Sequence, residues 1–405
     1  MKLRIPQPHP LNHTFWAATR LVPLLMCLTL LPACAQSTPP QTTSSATVSG
    51  TSGHGPVGFV YTYASTSTDG LVGASAHDGS TVWRAAVGHA NWAPLIVGDT
   101  LYASVFAQGY ATQDIVAVRV ATGQLLWRTK LPAGDGPNYV INADTTTVVV
   151  DAGETGLYAL NPQDGTIRWH LPLSVEEQPL VHAGVVYAQV APVGLSLPTL
   201  NAYRASDGKL LWSVPHPQGA LSGRIERNAS AIYADAGPLQ TGAFSPRDGH
   251  QLWTGVGGSL VAASDAAVFI QDGNYHLGAL SPFDGSRLWQ TSISVGYYSN
   301  DFDVTPVVNG VLYVTGSPGS SSSSGGIAAV RARDGTVLWQ HTNLYVAAVI
   351  VVNDVAYLYT IVSPSECVLG PCPGQMVALN AATGALLWQS SVPDGQELAE
   401  PVASE

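Results

Sequence analysis

Few side chains in this sequence are spaced for chemistry. The eleven histidines show neither an HxH nor an HExxH spacing that would hold a metal ion, and no GxSxG nucleophile turn or phosphate-cradling glycine loop occurs. His182, His250 and His276 fall at turns or strand edges, where a solvated imidazole is the plainer reading. The densest polar and aromatic cluster is Tyr297-Tyr298-Ser299-Asn300-Asp301-Phe302-Asp303. Tyr297, Tyr298, Asp301 and Asp303 suit contact with a sugar, a peptide or Ca²⁺, although Asp on either side of an inward Phe302 also reads as a strand entry. Arg224 and Glu226, near the start of an inner strand, are the second candidate pair for ligand contact. No catalytic, cofactor-binding or metal residue is expected.

The N-terminus reads as an address. Residues 1–33 carry Lys2, Arg4 and Arg20, no acid, and an apolar run of eleven from Leu21 to Leu31. A spanning helix needs about 20 apolar residues, so the run suits a secretory signal peptide instead. Leu31-Pro32-Ala33-Cys34 resembles the bacterial lipobox, in which the chain is cleaved before a cysteine that carries diacylglycerol. Cys34 is then the lipidated first residue; ordinary cleavage near Ala33 or Ala35 is the alternative. Residues 34–56 hold Ser, Thr, Pro and Gly with Val48 as their one large aliphatic, which predicts a flexible tether. The expected product is exported and anchored to the cell surface or periplasmic side of a membrane. In such a compartment Cys367 and Cys372, five apart, most simply form a disulfide, since zinc would need two further ligands and no His lies nearby in sequence.

Charge excludes another class of partner. The formal net charge is −11, and beyond residue 33 only 13 basic residues face 27 acidic ones. So few cations cannot neutralise a track of phosphates, so no nucleic-acid partner is expected, and anionic headgroups are disfavoured likewise.

The elements that must position these residues announce themselves by repetition. One phrase recurs eight times: an apolar pair, four or five polar residues, Gly, three residues, then Trp. The tryptophans are Trp83, Trp127, Trp169, Trp212, Trp253, Trp289, Trp339 and Trp388. Four residues before each stands a glycine: Gly79, Gly123, Gly165, Gly208, Gly249, Gly285, Gly335 and Gly384. Each phrase reads as a hairpin in which Gly supplies a positive φ at the turn. Upstream of most copies lies a second two-strand pattern, as in Pro179-Leu-Val-His-Ala-Gly-Val-Val-Tyr-Ala188. Four strands in each unit of 36 to 50 residues predict an all-β, eight-bladed β-propeller of four-stranded antiparallel blades over 57–405. The first unit has only three recognisable strands, 57–63, 71–76 and 80–86, so Ala399-Glu-Pro-Val-Ala403 is expected to close the ring as its innermost strand.

The phrase resembles the tryptophan-docking motif of quinoprotein-like propellers with PQQ-like repeats, Ala-x-Asp-x-x-Thr-Gly-x-x-x-Trp. Ala378-Leu-Asn-Ala-Ala-Thr-Gly-Ala-Leu-Leu-Trp388 comes close to it, while several copies carry Asp in place of Thr. Resemblance to the quinoprotein alcohol dehydrogenases implies an enzyme that binds pyrroloquinoline quinone (PQQ) and calcium. The long insertions of those enzymes and their adjacent Cys-Cys pair are absent here, and their calcium ligands map onto no positions of this chain. In size and layout the chain is more similar to the BamB-type lipoproteins of outer-membrane barrel assembly, which implies a non-catalytic, monomeric scaffold without a cofactor.

Strand parity assigns loops to faces. The connections that vary in length, Phe106 to Gln113, Ala191 to Pro198, Gly316 to Gly326, Ser363 to Gly374 and Thr291 to Asp303, all fall on one face. That face is the expected surface for protein or peptide partners.

Overall fold

The computed structural model describes residues 48–50, 57–63, 70–90, 94–106, 113–131, 139–175, 178–190, 198–215, 224–237, 239–272, 276–295, 302–316, 325–342, 344–361, 374–391 and 402–403. The chain divides into two units, Met1–Ser44 and Ser45–Glu405, and all of these residues belong to the second. Among them the strands form eight antiparallel sheets. Seven are consecutive in sequence, as in Leu180–His182, Val185–Val190, Thr199–Arg204 and Leu210–Pro215. The eighth joins the two ends of the chain. Val402–Ala403 pairs with Val57–Tyr63 through Phe59↔Ala403 and Val60↔Val402, supplying the innermost strand of the first blade.

Local chemistry explains the hairpins. In blades two to eight the two inner strands meet in a short turn. Ala183-Gly184, Asn309-Gly310 and Asn353-Asp354 have positive φ at both central positions, the geometry whose twist matches the strands it joins. The two outer strands meet in a longer turn that ends at the repeated glycine. Gly165 has φ +71° and donates its N–H to Asn161 O at 2.8 Å, and Gly335 does the same to Arg331 O at 2.9 Å.

That turn also fixes the tryptophan of the preceding blade. The indole nitrogens donate across the blade boundary at 2.7 to 3.1 Å, from Trp83 to Val120 O, Trp127 to Pro162 O, Trp169 to Ala205 O and Trp212 to Pro246 O. Trp253, Trp289, Trp339 and Trp388 donate likewise to the carbonyls of Pro282, Ala332, Ala381 and Ala76. The indole ring lies flat on the glycine: a Cβ added to Gly123 would sit 2.5 Å from Trp83, and one on Gly335 2.5 Å from Trp289. The glycine thus meets two demands, a left-handed turn and a bare surface for a ring. Eight apolar clusters, one at each blade boundary, fill the space inside, Val72 and Ala74 of the first blade packing with Tyr357, Met376 and Ala378 of the eighth.

Within 34–56, whose composition reads as a flexible tether, Val48–Gly50 pairs with Thr81–Ala85 as a fifth strand on the outer edge of the first blade. Edge pairing uses backbone N–H and C=O groups alone, so it needs none of the large side chains the segment lacks.

Candidate functional site

Two surfaces of the ring carry features that its packing does not require. The first is the rim. The outermost strand of each blade has a register shift just before its tryptophan, as where Ala202 pairs with Trp212 but Tyr203 pairs with Leu210. The residue skipped is a β-bulge that turns its side chain outward. In five blades this residue is an exposed leucine: Leu126, Leu211, Leu252, Leu288 and Leu387. Leu210 and Leu386 are exposed beside two of them. Among the described residues, the outermost strands of blades two to eight have a sheet neighbour on one side only.

The second is the axis, lined by the innermost strands. Glu226–Arg227 is the innermost strand of the fifth blade. Two residues before Glu226, the Arg224 guanidinium reaches over the neighbouring blade, its Nη1 3.5 Å from Val261 O and 3.3 Å from Val304 O. Those carbonyls belong to the innermost strands Ser259–Ala263 of blade six and Phe302–Val304 of blade seven. Glu226 is half-buried beside it, and burial pushes its carboxyl up to about 7 against the opposing pull of Arg224. Close by, the buried Asp235 carboxylate accepts the Leu260 N–H at 2.9 Å and ties blade five to blade six. Farther along the axis, at the end bearing the short inner turns, a cavity of about 430 Å³ opens between Ile96 and Val97 of blade two, Pro306 and Val308 of blade seven, and Ile350 and Val352 of blade eight.

The remaining titratable groups serve the frame. Asp151, on the second strand of blade three, is raised to about 6 by burial, which the Gly153 N–H partly offsets. Asp248 is held at about 2 by the Ser245 hydroxyl and then by His250, whose Nδ1 lies 2.7 Å from it. His276 pairs with Asp272 at 2.9 Å, and Gln290 donates to the same carboxylate at 2.8 Å. Among the described residues no three His, Cys, Asp or Glu side chains converge to hold an ion.

Of the candidate contacts read from the sequence, the structure brings together Arg224 and Glu226. Asp303 lies on the innermost strand of blade seven, opposite Thr315. Tyr297, Tyr298, Asp301, Cys34, Cys367 and Cys372 lie outside the described residues, as do most of the variable connections. Sequence reasoning missed the axial cavity and the rim leucines. A signal for the leucines was present, since Leu precedes Trp in six of eight repeats.

Residues 111–254 and 239–403 match the sequence profile of the family described as outer membrane protein assembly factor BamB, which covers most of the propeller. The chain belongs to this family. The BamB assembly factor of Yersinia pestis is 25% identical over 308 residues, 71% of this chain and 64% of its own length, so the match spans less than two thirds of that relative. The crystal structure of BamB from Moraxella catarrhalis superposes with a TM-score of 0.50 at 14% identity, covering 78% of this chain and 96% of that one. Quinohemoprotein alcohol dehydrogenase from Comamonas testosteroni gives 0.55 at 14% identity over 76% of this chain and 68% of its own. At such identities the two structures share the fold with this BamB-family chain, and the fold alone hosts both a scaffold and an enzyme.

Proposed function

We propose that this BamB-family propeller is a non-catalytic envelope scaffold that holds extended protein segments during outer-membrane protein assembly, anchored by a lipid on Cys34. The observation that carries the reading is the rim. Outer-edge strands of blades two to eight, unpaired on one side among the described residues, offer a row of backbone donors and acceptors, and the bulged leucines beside them offer apolar contact. The pairing of Val48–Gly50 with the first blade is an example of such an edge taking up a short segment of this chain. Membership of a family described as assembly factors supplies the kind of partner. The reading needs no cofactor.

Photo-crosslinking tests it. Benzoylphenylalanine placed at Leu211 or Leu387 in the membrane-bound protein is expected to trap barrel precursors or assembly subunits, and the same probe at Arg247, on an outer turn, is expected to trap neither. Absence of both partners from the rim positions would remove the reading. Labelling with radioactive palmitate, lost on Cys34→Ser, tests the anchor separately. Titration with PQQ and Ca²⁺ tests the dehydrogenase alternative, which saturable quinone absorbance changes would restore.

A further inference from the structure

The axis carries a second feature, independent of the rim. Tyr345–Val352, the innermost strand of blade eight, has eight residues and is the longest innermost strand among the described residues. One side pairs with Val355–Ile361, and the axial side has no strand partner among the described residues. Bonded and non-bonded pairs alternate along an antiparallel ladder. Val352↔Val355 closes the turn, so Val351↔Ala356 and Val349↔Leu358 are non-bonded pairs, and the N–H and C=O groups of Val349 and Val351 point to the axis. The same alternation, counted from Val97↔Thr100, turns those of Ile96 to the axis from blade two. The cavity of about 430 Å³ is walled by both edges, at 96–98 and 349–352, and by 305, 306 and 308 of blade seven. None of these residues is ionisable. Thr305 brings the one polar side chain, and its hydroxyl already accepts the Tyr313 N–H at 3.2 Å.

We infer that the axial cavity binds an extended, uncharged, apolar segment of a partner protein, which adds as a strand to the free edge of Tyr345–Val352. The edge offers main-chain donors and acceptors at alternate residues, the pattern that another extended chain complements. The aliphatic wall favours apolar side chains, roughly in proportion to the area removed from water. A charge brought into it would lose hydration and meet no opposite charge in the wall, so the segment is neutral. Length follows from geometry: 349–352 spans roughly 14 Å at about 3.4 Å per residue, which matches a partner strand of about four residues. The molecule itself holds a segment of this kind in the same channel. On the neighbouring innermost edge, that of Val57–Tyr63, the short neutral strand Val402–Ala403 pairs through Phe59↔Ala403 and Val60↔Val402. An axial segment uses neither the outermost strands nor the exposed leucines, so this site stands or falls apart from the rim.

The probe is a neutral peptide, acetyl-Ala-Ile-Ala-Val-amide, with benzoylphenylalanine added before the amide as a photo-crosslinker. Titrated into the full chain, it is expected to bind saturably, and after irradiation peptide mapping should place its adduct within 96–98, 305–308 or 349–352. Two N-methylated analogues test the ladder, one blocking the amides of Ile and Val and the other those of both alanines. Alternate N–H groups face the strand, so one analogue should bind about tenfold or more weakly while the other stays within about threefold of the parent. Asp in place of Ile should weaken binding by about tenfold or more. Adducts confined to outermost strands such as Leu210–Pro215 would overturn the inference and assign the probe to the rim. Both N-methylated analogues binding as tightly as the parent would also overturn it, because no ladder would then form. Equal affinity of the Asp peptide would overturn the neutral, apolar character of the site.

Discussion

The indole nitrogen of Trp388 donates to the carbonyl oxygen of Ala76 at 3.0 Å, across 312 positions of sequence. The bond has the same form as the seven that join consecutive blades, so the last blade docks on the first as on any other neighbour. Tyr357 backs the ring from within its own blade, with centroids 6.2 Å apart, as Tyr102 backs Trp127 at 5.8 Å. Closure therefore rests on two independent devices, a docked tryptophan and the paired strand Val402–Ala403.

Each docked tryptophan is a wedge whose loss should be felt as a core truncation. Trp169 is buried and donates to Ala205 O at 2.7 Å. Trp169→Ala should lower stability by ~3–5 kcal/mol, and Trp169→Phe by less, since the ring volume largely remains and one hydrogen bond of about 1 kcal/mol is lost. Denaturant unfolding followed by circular dichroism measures both. A midpoint unmoved by the alanine would contradict the wedge.

The repeated glycines make a sharper prediction because conformation and space can be separated. Gly123 has φ +72° and a ring of Trp83 where a Cβ would go, while Gly98 has φ +60° and open space around it. Gly98→Ala should cost about 1 kcal/mol, the penalty for placing an L side chain in the left-handed region. Gly123→Ala adds the displacement of Trp83 and should cost roughly 3 kcal/mol, approaching the loss of the tryptophan itself. Equal effects in thermal unfolding would mean that the rings do not rest on the glycines.

The end strand can be removed outright. Deleting 397–405 exposes the inner edge of Val57–Tyr63 and leaves the docked Trp388, with the apolar cluster around it between the first and eighth blades, as the remaining clasp. The truncated protein should unfold at a markedly lower temperature and self-associate through its open edge, read by calorimetry and by light scattering. A monomer of unaltered melting temperature would show that the tryptophan clasp suffices.

What the sequence displayed and what it hid divide along a physical line. The blade boundary poses one problem eight times, and one answer, Gly followed at four residues by Trp, solves it each time, so repetition made the architecture legible. The closing strand was legible for the same reason, since Ala399-Glu-Pro-Val-Ala403 stands at the offset from Trp388 where other inner strands follow theirs. The axial cavity was not. Its walls come from Ile96 and Val352, far apart in the chain, and each alone is an ordinary apolar strand residue. The strand Val48–Gly50 was hidden too, because an edge held by main-chain atoms leaves no pattern in side chains. Arg224 and Glu226 were visible as a charged pair near an inner strand, but the reach of Arg224 to Val304 depends on three blades meeting at an axis.

Glu226 gives the ring a pH dependence with a definite sign. Burial, only partly opposed by Arg224, raises its carboxyl from an ordinary 4.5 to about 7. Below pH 4.5 the group is neutral in both folded and unfolded chains and has no effect on the balance. As the pH rises from 4.5 to 7 the unfolded chain releases the proton while the folded one retains it, so the unfolded state gains and stability falls. Asp151, raised by burial from 3.8 to about 6, acts in the same sense over a lower window. Glu226→Gln removes the larger effect. It should leave stability unchanged at pH 4 and raise it by roughly 2 kcal/mol at pH 8, where the wild type carries a half-buried charge. Urea denaturation at the two pH values measures the difference, and an equal gain at both would mean that Glu226 influences stability through packing and not through its proton.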